Sequence, residues 1–249
     1  MYKYIKRFLD FIIALIILVL LCIPMLIIAI AIKLEDKGPA LFKQVRTGKD
    51  GKEFKLMKFR SMKVNNDVHD FSTEDEYTKI GKFIRKTSLD ELPQIFNILK
   101  GEMSFIGPRP WIPDYFALMN EKQKNRAKVL PGITGLAQAN GRNNLSIDEK
   151  INYDLKYVNN LSFKQDVYVF FKTIKTVLCK SGASNGKGGI KEELDELREQ
   201  NKDLLIEYID SIETTEDSIE ENVEAIEENI DNTEEQQESM EENKELLNA

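Results

Sequence analysis

Histidine and cysteine are almost missing from this chain, which has one histidine and two cysteines in 249 residues. Cys22 lies inside an apolar run and Cys179 far away in sequence, so no disulfide framework is expected and reduced thiols are the simple reading. The lone His69 sits in the polar stretch 65–76 and reads as a solvated loop residue. Chemistry that needs a histidine base or a histidine-rich metal site therefore has little to draw on. Charge is absent from Phe11 to Ile32, and glycine and proline are absent after Gly189. The first absence points to lipid and the second to one long helical segment.

The net charge of −7 conceals two opposite halves. Residues 190–249 carry 23 acidic and 4 basic side chains, while residues 1–189 carry 31 basic and 19 acidic ones. A basic body suits phospholipid headgroups or nucleotides, and the acidic tail makes nucleic acid the least expected partner.

The uncharged run of 22 residues would form a helix about 33 Å long, enough to cross the hydrocarbon layer. Pro24 interrupts its interior, where proline removes a hydrogen bond and kinks the helix. Both flanks are basic: Lys3, Lys6 and Arg7 precede the run, and ten lysines or arginines lie between Lys33 and Lys63. A helix–break–helix with both ends on the cytoplasmic side satisfies both facts. A single tilted crossing with a proline kink is the alternative.

Beyond the run, 41–62 reads as two extended stretches around Thr47-Gly-Lys-Asp-Gly51. Lys55, Lys58 and Arg60 form a basic edge there, for interfacial solvation or for binding phosphate. Helices are expected over 77–86, 88–100 and 113–128, loops at 131–135 and 140–143, and helices started by the capping boxes Ser146-x-x-Glu149 and Ser162-x-x-Gln165. The last pairs apolar Val167, Phe170, Phe171 and Ile174 with a lysine face, fit for the membrane surface or for a core. Four segments result: a membrane anchor (1–37), a catalytic domain (38–181), a flexible linker (182–189) and an acidic helical extension (190–249). The fold class is α+β, mainly α. Leu194, Leu197, Asn201, Leu204 and their successors to Ile230 follow 3–4 spacing, a coiled-coil seam with stutters or else one solvated helix.

Asp90 and Glu91 are adjacent carboxylates with Arg85 before them and Arg109 after. Carboxylates beside guanidinium groups suit a reaction at phosphorus, where one acid attacks or holds a metal and the arginines neutralise the oxygens. The same residues also spell a capping box, Ser88-Leu-Asp-Glu91, so a purely structural role competes with catalysis. Both roles can coexist at a helix N-terminus.

A series of longer segments narrows the choice: Lys6-Arg7-x-x-Asp10; Gly38-Pro-Ala-Leu-Phe-x-Gln44-x-Arg46-x-Gly48; Lys58-Phe-Arg60-Ser-Met62; Thr87-Ser-Leu-Asp90-Glu91-Leu-Pro93-Gln94; Asn97-x-Leu-Lys-Gly-Glu-Met-Ser104; Gly107-Pro-Arg109-Pro110; and Pro131-Gly-Ile-Thr-Gly-x-x-Gln138-x-Asn-Gly-Arg142-Asn143. In this order, over about residues 5–180, the chain resembles the bacterial sugar transferases, the monotopic phosphoglycosyl transferases that begin glycan assembly on polyprenol carriers. Ile23 stands before Pro24 where many relatives have serine, and the tail after Gly189 lies outside the pattern.

The resemblance implies an enzyme at the cytoplasmic face of the bacterial inner membrane. It would pass a sugar phosphate from a UDP-sugar to polyprenyl phosphate through an aspartyl intermediate on Asp90, releasing UMP. Mg2+ is the implied cofactor, with Glu91 and Asp90 as ligands or Glu91 as proton acceptor. Arg85, Arg109 and Arg142, with Lys58 and Arg60, are the implied phosphate or uridine contacts. Membrane lipid and a homo-oligomer or partner on the C-terminal helix complete the expected partners. The alternative is a non-catalytic membrane scaffold of the same fold that acts through its coiled coil.

Overall fold

A computed structural model describes residues 2–63, 77–141, 144–178 and 190–202. Its first element is helix α1 (Tyr2–Glu35), which runs without interruption through Pro24. The expected helix–break–helix is therefore one helix with a proline in its exposed side. The buried residues Asp10, Ala14, Met25 and Ile32 form a single stripe, because their spacings of 4, 11 and 7 are whole turns. Ala14 joins a core cluster with Phe54, Leu56, Ile95, Ile98 and Met103, while Met25 and Ile32 join another with Phe59 and Ile84. Packing on both sides of Pro24 offsets the one backbone hydrogen bond that proline cannot make. The opposite face leaves Phe8, Val19, Leu20, Ile23, Leu26 and Ile27 exposed, and α1 is long and apolar enough to cross a membrane.

Polar contacts hold both ends of α1 to the rest of the molecule. At the start, Tyr2 donates to Asp166 Oδ2 at 2.5 Å, Lys6 pairs with the same carboxylate at 2.8 Å, and Arg7 donates to the carbonyls of Ile98 and Leu99. At the end, Glu35 accepts from the backbone N–H groups of Lys79 and Ile80, and Arg60 engages Asp36.

Strands β1 (Leu41–Thr47) and β2 (Glu53–Phe59) form the antiparallel hairpin expected from the sequence, in the register Leu41↔Phe59 to Thr47↔Glu53. Helix α2 (Lys79–Lys86) is capped by Thr78, whose side chain accepts from Gly81 N–H. Helix α3 covers only Gln94–Lys100, with Pro93 at its N-cap, so the helix expected from Ser88 begins six residues later. Ser88 takes a left-handed conformation (φ 58°) and caps nothing; a 3-10 turn, Leu89–Glu91, follows it. The capping-box reading of these residues is thereby corrected. Pro93 has no N–H to close a regular first turn, and its ring disfavours helix upstream.

The loop expected at 131–135 contains a strand, β4 (Gly132–Thr134), parallel to β3 (Ser104–Ile106). A Cβ on Gly132 would lie 2.1 Å from Gly107 N, so the two glycines permit this close crossing. The helix expected over 113–128 is split into α4 (Pro113–Ala117), α5 (Glu121–Lys124) and a 3-10 turn, Asn125–Lys128. Asn120 restarts it through a capping box with Gln123. Helix α6 (Leu136–Asn140) follows β4. Ser146 and Glu149 cap α7 (Ile147–Asn159) reciprocally, as the sequence predicts. Ser162 accepts from Gln165 N–H at the start of α8 (Phe163–Leu178), but Gln165 Oε1 is buried without a partner, so that box is half made. On α8, Phe163, Phe170, Phe171 and Ile174 are exposed.

One compact unit extends from Met1 to Glu199 and thus includes most of α9 (Ile190–Gln200). Leu194 and Leu197 pack into a cluster with Trp111, Tyr115, Met119, Ile147 and Ile151. Glu193 pairs with Lys150 at 2.5 Å and accepts from Tyr115 Oη at 3.1 Å. Two residues of the expected seam are therefore spent on the domain itself; the seam beyond 202 lies outside the described residues. Leu197 is fully buried, so Leu197→Ala should cost about 2–5 kcal/mol. Thermal unfolding of the detergent-solubilised protein checks this. An unchanged midpoint would mean that α9 does not dock there in solution.

Candidate active site

Four elements converge on Asp90 and Glu91. Asn97, fully buried on α3, accepts from Met57 N–H at 3.0 Å and donates to Lys55 O at 2.9 Å. This clamp fixes β2 against α3 one residue from Lys58. Lys58 Nζ then donates to Glu91 Oε1 at 2.9 Å, with both side chains about one-fifth exposed. Arg109, in the loop after β3, approaches the same oxygen at 3.9 Å and is half exposed. Arg85, at the end of α2, lies over the Tyr77 ring at 4.6 Å, and its charge acts on Asp90.

Burial raises the Asp90 carboxyl above its ordinary value, Lys58 draws it down, Glu91 pushes it up, and Arg85 draws it down again. The net effect is upward: Asp90 is a partly desolvated carboxyl whose charged form Lys58 and Arg85 only partly recover, beside a second carboxylate that contacts Lys58 and Arg109. Partial desolvation strengthens a nucleophile, and the surrounding cations suit phosphate oxygens. The left-handed Ser88 is a strained residue directly before this turn, at a place where such strain commonly accompanies function.

Of the residues predicted from sequence, Asp90, Glu91, Lys58, Arg109 and Arg85 come together. Arg60 does not join them. It is buried, and its Nη2 engages both the side chain and the backbone carbonyl of Asp36, tying the end of α1 to the hairpin. It lies just past the end of β2, so the alternation that aims Lys58 at Glu91 no longer governs it. Arg142 lies outside the described residues. Pro24 is exposed on α1.

Two arginines are given no role by the sequence reading. Arg126 is buried; it donates to Asp154 Oδ2 at 2.6 and 3.0 Å and to the Arg109 carbonyl at 2.6 Å, and lies 4.1 Å over Trp111. It therefore holds the backbone that presents Arg109. Arg46 on β1 donates to Gln44 Oε1 at 2.5 Å, and its guanidinium is brought down to about 10 by burial and by Arg109.

Among the described residues no group of three or more His, Cys, Asp or Glu side chains could hold a metal ion alone. Asp90 and Glu91 nevertheless fit Mg2+, which is ordinarily bound by one or two carboxylates together with substrate phosphates and water.

The profile of the bacterial sugar transferases matches residues 1–180, and the chain belongs to that family. It is 44% identical over 179 residues to an uncharacterized sugar transferase, EpsL, of Bacillus subtilis, covering 71% of this chain and 89% of that one. It is equally similar, at 44% over 202 residues, to the galactosyl transferase CpsE of Streptococcus agalactiae, and covers 45% of its length. Against the UDP-glucose:undecaprenyl-phosphate glucose-1-phosphate transferase of Klebsiella pneumoniae, identity is 44% over 185 residues and coverage of the relative 39%. The chain thus spans less than half the length of the last two.

Proposed function

We propose that this protein transfers a sugar phosphate from a UDP-sugar to polyprenyl phosphate, with Asp90 as the covalent nucleophile and UMP as the first product. The observation that carries this reading is the half-buried Asp90 within the field of Lys58 and Arg85, beside a Glu91 held by Lys58 and Arg109. The relatives named for undecaprenyl-phosphate sugar phosphate transfer support the choice of substrates.

In the first step an Asp90 carboxylate oxygen bonds to the phosphorus that carries the sugar. The bond from that phosphorus to the bridging oxygen breaks, and its electron pair leaves with UMP. In the second step a phosphate oxygen of the polyprenyl phosphate bonds to the same phosphorus, the bond to Asp90 breaks, and the carboxylate is restored. Lys58 and Arg109 neutralise the phosphate oxygens, and Glu91 holds both cations in place. When bound, Mg2+ supplies further neutralisation of the diphosphate, with Asp90 and Glu91 the carboxylates able to hold it.

The lipid acceptor requires a membrane-seated site. Both ends of α1 grip the same body, through Asp166, Ile98 and Leu99 at one end and through Lys79, Ile80 and Arg60 at the other. One body cannot occupy both sides of a bilayer, which supports a helix with both ends on the cytoplasmic side of the inner membrane. The exposed apolar side chains of α1 and α8 would face lipid. Single cysteines at Lys3 and Lys37, in a background without Cys22 and Cys179, should resist a membrane-impermeant thiol reagent equally in intact cells. Labelling of the Lys3 position alone from outside would establish a crossing helix.

UMP release from a panel of UDP-sugars, with polyprenyl phosphate and Mg2+, tests the function directly. Release that depends on one sugar supports it. Absence of release from every donor would favour the non-catalytic scaffold.

A further inference from the structure

The register of the hairpin places a second arginine on the catalytic face. Gln44 lies opposite Leu56, Arg46 opposite Phe54 and Phe42 opposite Lys58, so Gln44, Arg46 and Lys58 share one side of the sheet. Arg46 stands four residues, or roughly 13 Å, along that side from Lys58. The end of β1 is tied to the arginine-bearing loop, because Thr47 N–H donates to Trp111 O at 2.9 Å. Thr47, Gly48, Pro108 and Arg109 line one cleft at this junction. Arg109 thus reaches Glu91 on one side and acts on Arg46 on the other.

The bonding of Arg46 is incomplete. Its Nη2 is held by the neutral amide of Gln44, its Nε is buried with no partner, and no carboxylate pairs with it among the described residues. A partly buried guanidinium next to another guanidinium is unfavourable unless an anion completes the site. Lys58, Arg85 and Arg109 act on Asp90 and Glu91, and Arg46 adds a further positive charge beside Arg109, an excess that suits a diphosphate. Gln44 supplies the orientation, since its amide oxygen fixes one arm of the guanidinium.

We infer that Arg46, oriented by Gln44, binds the nucleoside-side phosphate of the donor, the one that leaves in UMP, while Arg109 serves the phosphate attacked by Asp90. This rests on the transferase reading above. Because UMP and uridine differ only by that phosphate, comparing them isolates the contact. Binding of UMP and of uridine is measured by calorimetry on the full chain in nanodiscs, for wild type, Arg46→Gln and Arg46→Lys. The glutamine variant should bind UMP about tenfold or more weakly and uridine unchanged, with lysine intermediate. With the donor that wild type uses, KM should rise more than kcat falls.

Equal loss of UMP and uridine binding in Arg46→Gln would reveal a merely structural arginine and overturn the inference, as would unchanged UMP binding. A wild type that binds UMP but releases none from any UDP-sugar would overturn the transferase reading by itself. The comparison of UMP with uridine would still decide Arg46.

Discussion

Asp90→Asn is expected to reduce UMP release below about 1% of wild type while leaving donor binding and folding intact. The substitution is nearly isosteric, and the ion pairs that shape the turn belong to Glu91, not to Asp90. What disappears is the anionic oxygen that bonds to phosphorus. A neutral amide also relieves the burial that pushes the Asp90 carboxyl upward, so stability should hold or improve slightly. Two measurements separate a lost nucleophile from a damaged site. Wild type incubated with donor but no lipid should gain the mass of a phosphosugar on the peptide that contains Asp90, and the variant should gain none. Calorimetry should find that the variant still binds the donor. Turnover retained above a few per cent would remove Asp90 from the nucleophile's role.

The central pair was legible in the sequence because Asp90, Glu91, Arg85 and Arg109 crowd into one short segment, and a resemblance over many segments singled out the same residues. The geometry of that segment was not. Ser88-Leu-Asp-Glu matches a capping box by residue type alone, yet Pro93 moves the helix start to Gln94 and the turn closes as a 3-10 turn. Lys58 and Arg60 read alike on paper; only the end of β2 at Phe59 decides that one meets Glu91 and the other Asp36. Arg46 stands within a matching segment but is given no role there, because its alignment with Lys58 depends on the pairing register, which one strand does not encode. The seam of the tail was visible, but 3–4 spacing is the same whether the apolar stripe meets another helix or a domain. Leu194 and Leu197 meet the domain. The hairpin and the cap at Ser146 were read correctly because each rests on local signals, a glycine-bearing turn and a reciprocal box; the uncharged run marked a helix but not that it would continue through Pro24.

Arg126→Met should destabilise the protein by about 3–5 kcal/mol, the cost of leaving a buried carboxylate without its partner. Asp154 is almost completely buried, and Arg126 is the cation that draws its carboxyl down against the upward push of burial. Without that cation the carboxyl rises further. A carboxyl raised in the folded state penalises folding above that raised value, so the deficit should be largest at neutral and alkaline pH and shrink as Asp154 takes up a proton on acidification. Replacing both partners, Arg126→Met with Asp154→Leu, removes the unpaired charge and should recover most of the stability, the non-additivity expected of residues in direct contact. Activity should not follow. Arg126 also donates to the Arg109 carbonyl and stacks on Trp111, and neither contact is available to methionine in the same form. The double variant should therefore fold nearly as well as wild type yet turn over well below it. Thermal unfolding across pH, set beside UMP release from the same preparations, reads both quantities. Full recovery of turnover in the double variant would show that Arg126 serves stability alone and that the position of Arg109 is set elsewhere.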